Sequence, residues 1–231
     1  MAVTSELLNR PVYSEADAAD ILRVPRSTLH WWLEGRSDNG RTYPPVIRPE
    51  PTGVGSLTWG EFVEAALLRQ YRRELLVRLE EIRLFVRRLR DEEGIPYPLA
   101  HSKPWVGNGP RLLLKVQEEA GLRGDFWLVA KTSDQPVLTP PAASFISRVD
   151  WEADLVVGWR PHDDQNSPVR CRPTHRFGRP AIRGISTSAI FEHIEGGEDD
   201  EDVAAQFDLE VEEVGWARSY ELSCRSATRA A

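Results

Sequence analysis

The chain has 231 residues, 41% of them hydrophobic and 28% charged, with a formal net charge of −7 and two cysteines. That length fits one large domain or two to three small ones, and the ordinary composition excludes wholesale disorder and fibrous repeats. No apolar run approaches the roughly 18 residues of a membrane span, and the N-terminus lacks a basic-plus-apolar signal segment, so a cytoplasmic protein with no membrane partner is expected. The cysteines stand 53 positions apart (224 − 171) and read as reduced thiols.

As a single number, −7 argues against a nucleic-acid partner, but the charge is unevenly spread. Residues 1–100 hold 14 basic and 15 acidic groups, a balance of −1; residues 101–183 hold 12 and 9, or +3; residues 184–231 hold 3 and 12, or −9. The acidity sits in the last fifth, which leaves the front free to meet an anion.

Ser14 opens the first patterned segment as an N-cap, and EADAADIL then places Ala18, Ile21 and Leu22 on one helical face. Val24-Pro25 breaks that helix. A second amphipathic run follows, with Leu29, Trp32 and Leu33 apolar and Arg26, Ser27, His30 and Trp31 elsewhere. Two short helices sharing one apolar seam make a helix-turn-helix. The proline- and glycine-rich stretch 43–57 predicts a wing, with short strands at Val46-Ile47-Arg48 and Ser56-Leu57 around Gly53 and Gly55. Thr58-Trp59-Gly60-Glu61 reads as a capping box with Leu57 and Phe62 as its hydrophobic staple, so a helix over about 59–71 is expected. Another, about 77–90, buries Leu79, Ile82, Val86 and Leu89 and turns Arg78, Arg83, Arg87, Arg88 and Arg90 to solvent or to a dimer partner.

Gly94-Ile95-Pro96-Tyr97-Pro98 closes a first region at about residue 100. Residues 101–176 read as strand-rich: LLLKV, DFWLVA, FISRV, ADLVVGW and PVRCRP are short apolar runs divided by turns, with a break at Pro140-Pro141 and with Trp105, Trp127, Trp151 and Trp159 as core. A small antiparallel sheet is expected there. Residues 177–231 parse as a turn at Gly178-Arg179-Pro180 and helices at about 187–195, 201–207 and 211–222. Val203, Ala204 and Phe207 face Val211, Val214, Ala217 and Tyr220 in a three-helix bundle. The fold class read from the sequence is therefore α+β and mainly helical: an N-terminal winged helix-turn-helix, a small central antiparallel β region and a C-terminal, helix-turn-helix-like three-helix bundle.

In such a front domain the second helix enters the major groove, with Arg26, Ser27 and His30 nearest base edges and Arg36, Arg41 and Arg48 nearest phosphates. Catalysis is not expected. Cys171 and His175 lack a second pair to complete a zinc site, the five histidines are scattered, and there is no phosphate loop or nucleophile elbow, so neither metal nor cofactor is expected.

The residues YSEADAADILRVPRSTLHWWLEG resemble the N-terminal helix-turn-helix of MerR-like regulators. Arg23 departs from that pattern, standing where the family usually has a turn glycine; it must take a less comfortable backbone conformation, or the turn is built differently. From Gly178 onward the chain resembles an antitoxin-like domain found in VapB-type antitoxins, at Gly178, Pro180, Ile182, Arg183, Gly184, Gly197, Val203, Ala204, Phe207, Leu209, Val214 and Tyr220. Ile185-Ser186 replaces that family's usual Thr-Arg. With the GIPYPLA segment, the whole resembles a long VapB-type antitoxin of a VapBC toxin–antitoxin system. The resemblance implies a chain that neutralises a PIN-like VapC ribonuclease, represses its own operon through operator DNA and forms a homodimer. Asp199, Asp200, Glu201 and Asp202 would meet the basic surface of the nuclease, or Arg225 or Arg229 would enter its carboxylate cluster. The alternative is a stand-alone regulator whose C-terminal domain dimerises or senses a ligand. For the acidic run, a solvated helix start that complements the helix dipole is an equal reading.

Overall fold

The computed structural model describes residues 2–38, 40–75, 79–94, 96–101, 109–121, 128–132, 135–162 and 164–229. Two elements the sequence did not announce come first: α1 (Ala2–Asn9) and β1 (Pro11–Ser14). Ser14 ends β1 and caps α2 (Glu15–Leu22), its hydroxyl accepting the Asp17 amide at 3.1 Å. Ala18, Ala19 and Leu22 of α2 are buried against Leu29, Trp32 and Leu33 of α3 (Arg26–Glu34). Between the two helices Arg23 takes the left-handed conformation (φ 53°, ψ 47°), and the amides of Arg23 and Val24 close onto Asp20 and Ala19 carbonyls. The turn is built as a glycine would build it, at a backbone cost of about 1–2 kcal/mol.

The hairpin beside α3 lies earlier than the sequence reading placed it. It pairs β2 (Arg36–Asp38) with β3 (Arg41–Tyr43), Ser37 opposite Thr42. Val46, Ile47 and Arg48 form a bent, buried crossing rather than a strand. The segment at 56–57 belongs to β4 (Ser56–Thr58), which pairs antiparallel with β1. Prolines at 44, 45, 49 and 51 explain the difference, since each removes a ladder donor.

Thr58 and Glu61 form the reciprocal capping box: the Glu61 amide donates to Thr58 Oγ1 at 3.2 Å and the Thr58 amide to Glu61 Oε2 at 2.8 Å. They start α4 (Trp59–Leu75), which is followed by α5 (Leu79–Glu93). Arg78 lies outside the described residues. Two arginines of α5 are not solvated: Arg83 donates to the Pro45 carbonyl at 3.0 Å, and Arg90 to Ile47 and Pro96 carbonyls at 2.6 and 2.7 Å.

The central region is not one sheet. LLLKV lies in α6 (Gly109–Glu119), and FISRV runs from α7 (Pro140–Ile146) through a turn into β7. Pro140 and Pro141 occupy the first turn of α7, where the missing N–H costs nothing. Separate hairpins pair β5 (Val129–Thr132) with β6 (Gln135–Leu138), and β7 (Val149–Glu152) with β8 (Leu155–Trp159). Trp105 and Trp127 lie outside the described residues.

One hydrophobic cluster runs continuously from Leu8 to Cys171, so residues 1–100 and the central region share a core. Its spine is aromatic: Tyr13 to Phe62 at 4.5 Å between ring centroids, then Phe62 to Trp59 and to Trp159, both at 5.5 Å. A second cluster joins Val169 and Ile182 to the C-terminal helices. There β9 (Ala181–Ile182) pairs with β10 (Ile185–Ser186), ahead of α8 (Thr187–Glu195), α9 (Asp200–Phe207) and α10 (Val211–Arg229). Val203, Ala204, Val214, Ala217 and Tyr220 are buried as expected, but Val211 is exposed and α10 runs well past Leu222. The described chain is thus mixed α and β, about half helical, with small two-stranded antiparallel sheets.

Candidate functional site

Helical spacing sorts the residues of α3. Leu29, Trp32 and Leu33 face the core, while Arg26, Ser27, His30 and Trp31 remain exposed on the opposite side. Trp31, 40% exposed, is sandwiched with the next element: the Arg36 guanidinium lies 4.9 Å from its ring centroid and 5.2 Å from that of Tyr43. Arg36 also approaches Asp38 at 3.7 Å, and Arg41 stands exposed on β3. His30 Nδ1 is 3.1 Å from the buried carboxylate of Glu15, which leaves Nε2 for a ligand. Five of the six residues expected to meet DNA therefore share one accessible face.

Arg48 does not join them, and its assignment as a phosphate contact is corrected. It is 4% exposed and held between Glu34 and Glu61, donating to Glu61 Oε1 at 2.7 Å, to Thr52 Oγ1 at 2.7 Å and to the carbonyls of Val54 and Ser56. Burial alone would lower its guanidinium; hydrogen bonds and charge from Glu61 and Glu34 outweigh that and raise it. Burial would likewise raise the Glu34 carboxyl, but the Gly53 amide, Thr52 and Arg48 hold it below the usual range. The cluster is a strut that ties α3 and α4 to the 49–56 loop.

At the other end Asp199, Glu201 and Asp202 are exposed, and Asp200 is paired with Arg218. Arg225 is paired with Glu195 and lies 4.6 Å from the Phe191 ring centroid. The Arg229 side chain lies outside the described residues. Among the described residues no group of three or more His, Cys, Asp or Glu could hold a metal ion. Burial pushes the Cys171 thiol well above its ordinary range, so it is no nucleophile. No helix among the described residues is long and apolar enough to cross a membrane.

Sequence reasoning placed a strand run, a turn and family-like positions in residues 168–184 but no ligand contact, although they hold five arginines, one histidine and no acid. Arg176, Phe177 and Gly178 are all left-handed (φ 48°, 53° and 76°), and this turn leaves Phe177 81% exposed. Gly178 is required there. Its carbonyl accepts the Tyr13 hydroxyl at 2.5 Å, and a Cβ on it would come within 2.5 Å of both Tyr13 Oη and Val12 Cγ1. The density of arginine was the available signal; what it faces was not legible.

This architecture is shared with a solved protein. The crystal structure of Rv2018 from Mycobacterium tuberculosis superposes with a TM-score of 0.73 over 91% of this chain and 98% of that one, at 23% identity, a likeness of fold. In sequence, the chain is 29% identical over 240 residues to the uncharacterized protein Rv2308 of Mycobacterium tuberculosis, covering 98% of this chain and 96% of that protein. No family model matches the chain.

Proposed function

We propose that the chain is a DNA-binding antitoxin: a winged helix-turn-helix protein, acting as a homodimer, that represses its own operon and neutralises a PIN-like ribonuclease. The observation that carries the DNA half is the face of α3, where Arg26, Ser27, His30 and Trp31 are exposed beside Arg36 and Arg41 while the opposite face is buried. A helix so disposed, flanked by a short hairpin, suits the major groove, with the hairpin cations against phosphates. The antitoxin half rests on the resemblance of residues 178–220 to the VapB-type domain. It is supported by the exposed acids Asp199, Glu201 and Asp202, which suit a basic nuclease surface. Arg225 is already paired with Glu195, which favours the acidic run over the tail arginine as the point of contact.

The test is binding to the DNA upstream of the chain's own gene, followed by co-purification with the product of the adjoining gene. Arg26→Ala or His30→Ala should weaken binding of the upstream DNA by about 5- to 100-fold, with the melting temperature kept. If neither variant changes affinity, the DNA half falls. If no nuclease complex forms while DNA binding is tight, the chain is a stand-alone regulator. Within a complex, Glu201→Gln with Asp202→Asn should weaken inhibition of the nuclease more than Arg225→Ala does.

A further inference from the structure

Arg26 borders two adjoining hollows. One, of about 520 Å3, lies against α3 with Ser27, His30 and Trp31. The other, of about 1240 Å3, is the seam between the α2–α3 pair and the C-terminal bundle, and its far wall carries Arg176, Phe177 and Arg179. Arg179 also borders a third hollow, of about 480 Å3, with Arg170, Arg172, His175 and Arg183. Arg26 is thus common to the first two hollows, and Arg179 to the second and third.

The cations bordering these hollows are not equally available. Arg170 and Arg172 share Asp150 at 3.4 and 3.0 Å, and Arg183 lies 3.0 Å from Glu213. Among the described residues no carboxylate pairs with Arg26, Arg176 or Arg179. On the α2 side the seam carries Asp17 and Asp20, and on the bundle side Glu221, which accepts from the Thr187 hydroxyl, so an anionic ligand is drawn to the Arg176–Arg179 end of that wall. Between Arg176, whose Nε donates to the Gly184 carbonyl at 2.8 Å, and Arg179 there stands Phe177, presented by a turn whose two non-glycine residues are held in the strained left-handed region. The same turn brings the Gly178 carbonyl onto the Tyr13 hydroxyl and leaves the Phe177 ring 81% exposed beside the arginines.

We propose that Arg176 and Arg179, with Phe177 between them, form a second DNA-backbone contact, continuous with α3 and supplied by the C-terminal half of the chain. The inference rests on the DNA reading above. The guanidinium forks hold phosphates flanking the segment that α3 reads, and the Phe177 ring packs on backbone sugars. Such contacts carry no sequence information. They add affinity for any duplex and raise the number of counterions released on binding.

The experiment measures binding of the full chain to its upstream duplex and to an unrelated duplex from 50 to 200 mM salt. Arg176→Ala with Arg179→Ala, both exposed positions, should leave the melting temperature unchanged. The pair should lower affinity for both duplexes about 10- to 100-fold and reduce the slope of log K against log salt by about 2, at roughly 0.9 per phosphate. Phe177→Ala should cost about 3- to 10-fold with the slope unchanged. If the double variant keeps wild-type affinity and slope while Arg26→Ala weakens binding, the second contact is overturned and the DNA reading stands. If the wild-type chain binds no duplex, the DNA reading falls and the second contact falls with it. If the double variant binds DNA normally but loses a co-purifying protein, the seam is a protein-docking surface and the inference is wrong.

Discussion

Arg26 and Arg48 are the same residue type 22 positions apart (48 − 26), and only their surroundings leave one exposed on α3 and make the other a buried strut. Local spacing told which face of α3 Arg26 occupies, but could not tell that two prolines either side of Arg48 fold it back onto Glu34 and Glu61. Arg48→Ala should cost about 3–5 kcal/mol in chemical denaturation, because it strands two buried carboxylates. Arg23 shows the converse, a departure visible in the sequence whose resolution was not. Its side chain reaches Ser223 Oγ at 2.5 Å, so the residue that strains the turn also bridges to α10. Arg23→Gly and Arg23→Ala both lose that bond, but only glycine relieves the backbone; Arg23→Gly should be the more stable of the two by about 1 kcal/mol. Glu64 is buried in α4, 3.5 Å from Arg90, and burial pushes its carboxyl up to about 8, against which Arg90 and the Leu99 amide act only partly. The folded state therefore keeps a proton that the unfolded chain releases near its ordinary value of 4.5. Stability falls as pH rises through that window and is lowest above about pH 8. Glu64→Gln should flatten this dependence and be more stable than the wild type at pH 8 by on the order of 2 kcal/mol.

At the scale of elements, what was legible is what neighbours in sequence settle: the cap at Ser14, the capping box at Thr58, the apolar stripes of α2, α3 and α9, and the extent of α8. What failed is where a short apolar run has no partner in view. LLLKV suits a strand as well as a helix, and only the burial of Leu113, Val116, Gln117 and Ala120 on one side of α6 decides between them. Gln117 also explains how α6 holds the next strand: its side chain accepts from the Leu128 and Val129 amides at 2.5 and 3.2 Å and donates to the Val129 carbonyl at 3.0 Å. Gln117→Ala should cost about 2–3 kcal/mol and speed hydrogen exchange at Val129 more than elsewhere, since it leaves buried backbone groups without partners.

For the whole molecule, the balance of −7 resolves into a front and a seam able to meet phosphate and a far edge of the bundle that carries Glu198, Asp199, Glu201 and Asp202. Oppositely charged partners can thus approach one chain from different directions. Regional charge was readable in advance; the joining of the cationic groups was not, because Arg26 and Arg179 meet only when the bundle docks on β1. Among the described residues, Tyr13–Gly178 and Arg23–Ser223 are two of the links that hold it. Gly178→Ala should disturb it directly, lowering protection of the amides around 176–184 and the melting temperature by several degrees, with the bundle's own cluster of Val203, Val214 and Ala217 kept. Tyr13, whose hydroxyl holds Gly178, is the immediate neighbour of Ser14, which caps α2. Two consecutive residues thus link the turn ahead of the bundle to the start of the α2–α3 pair, beside the Arg23–Ser223 bridge. On the proposed function, any factor by which a ligand on the bundle changes affinity for DNA through this contact must return as the same factor on that ligand's own affinity.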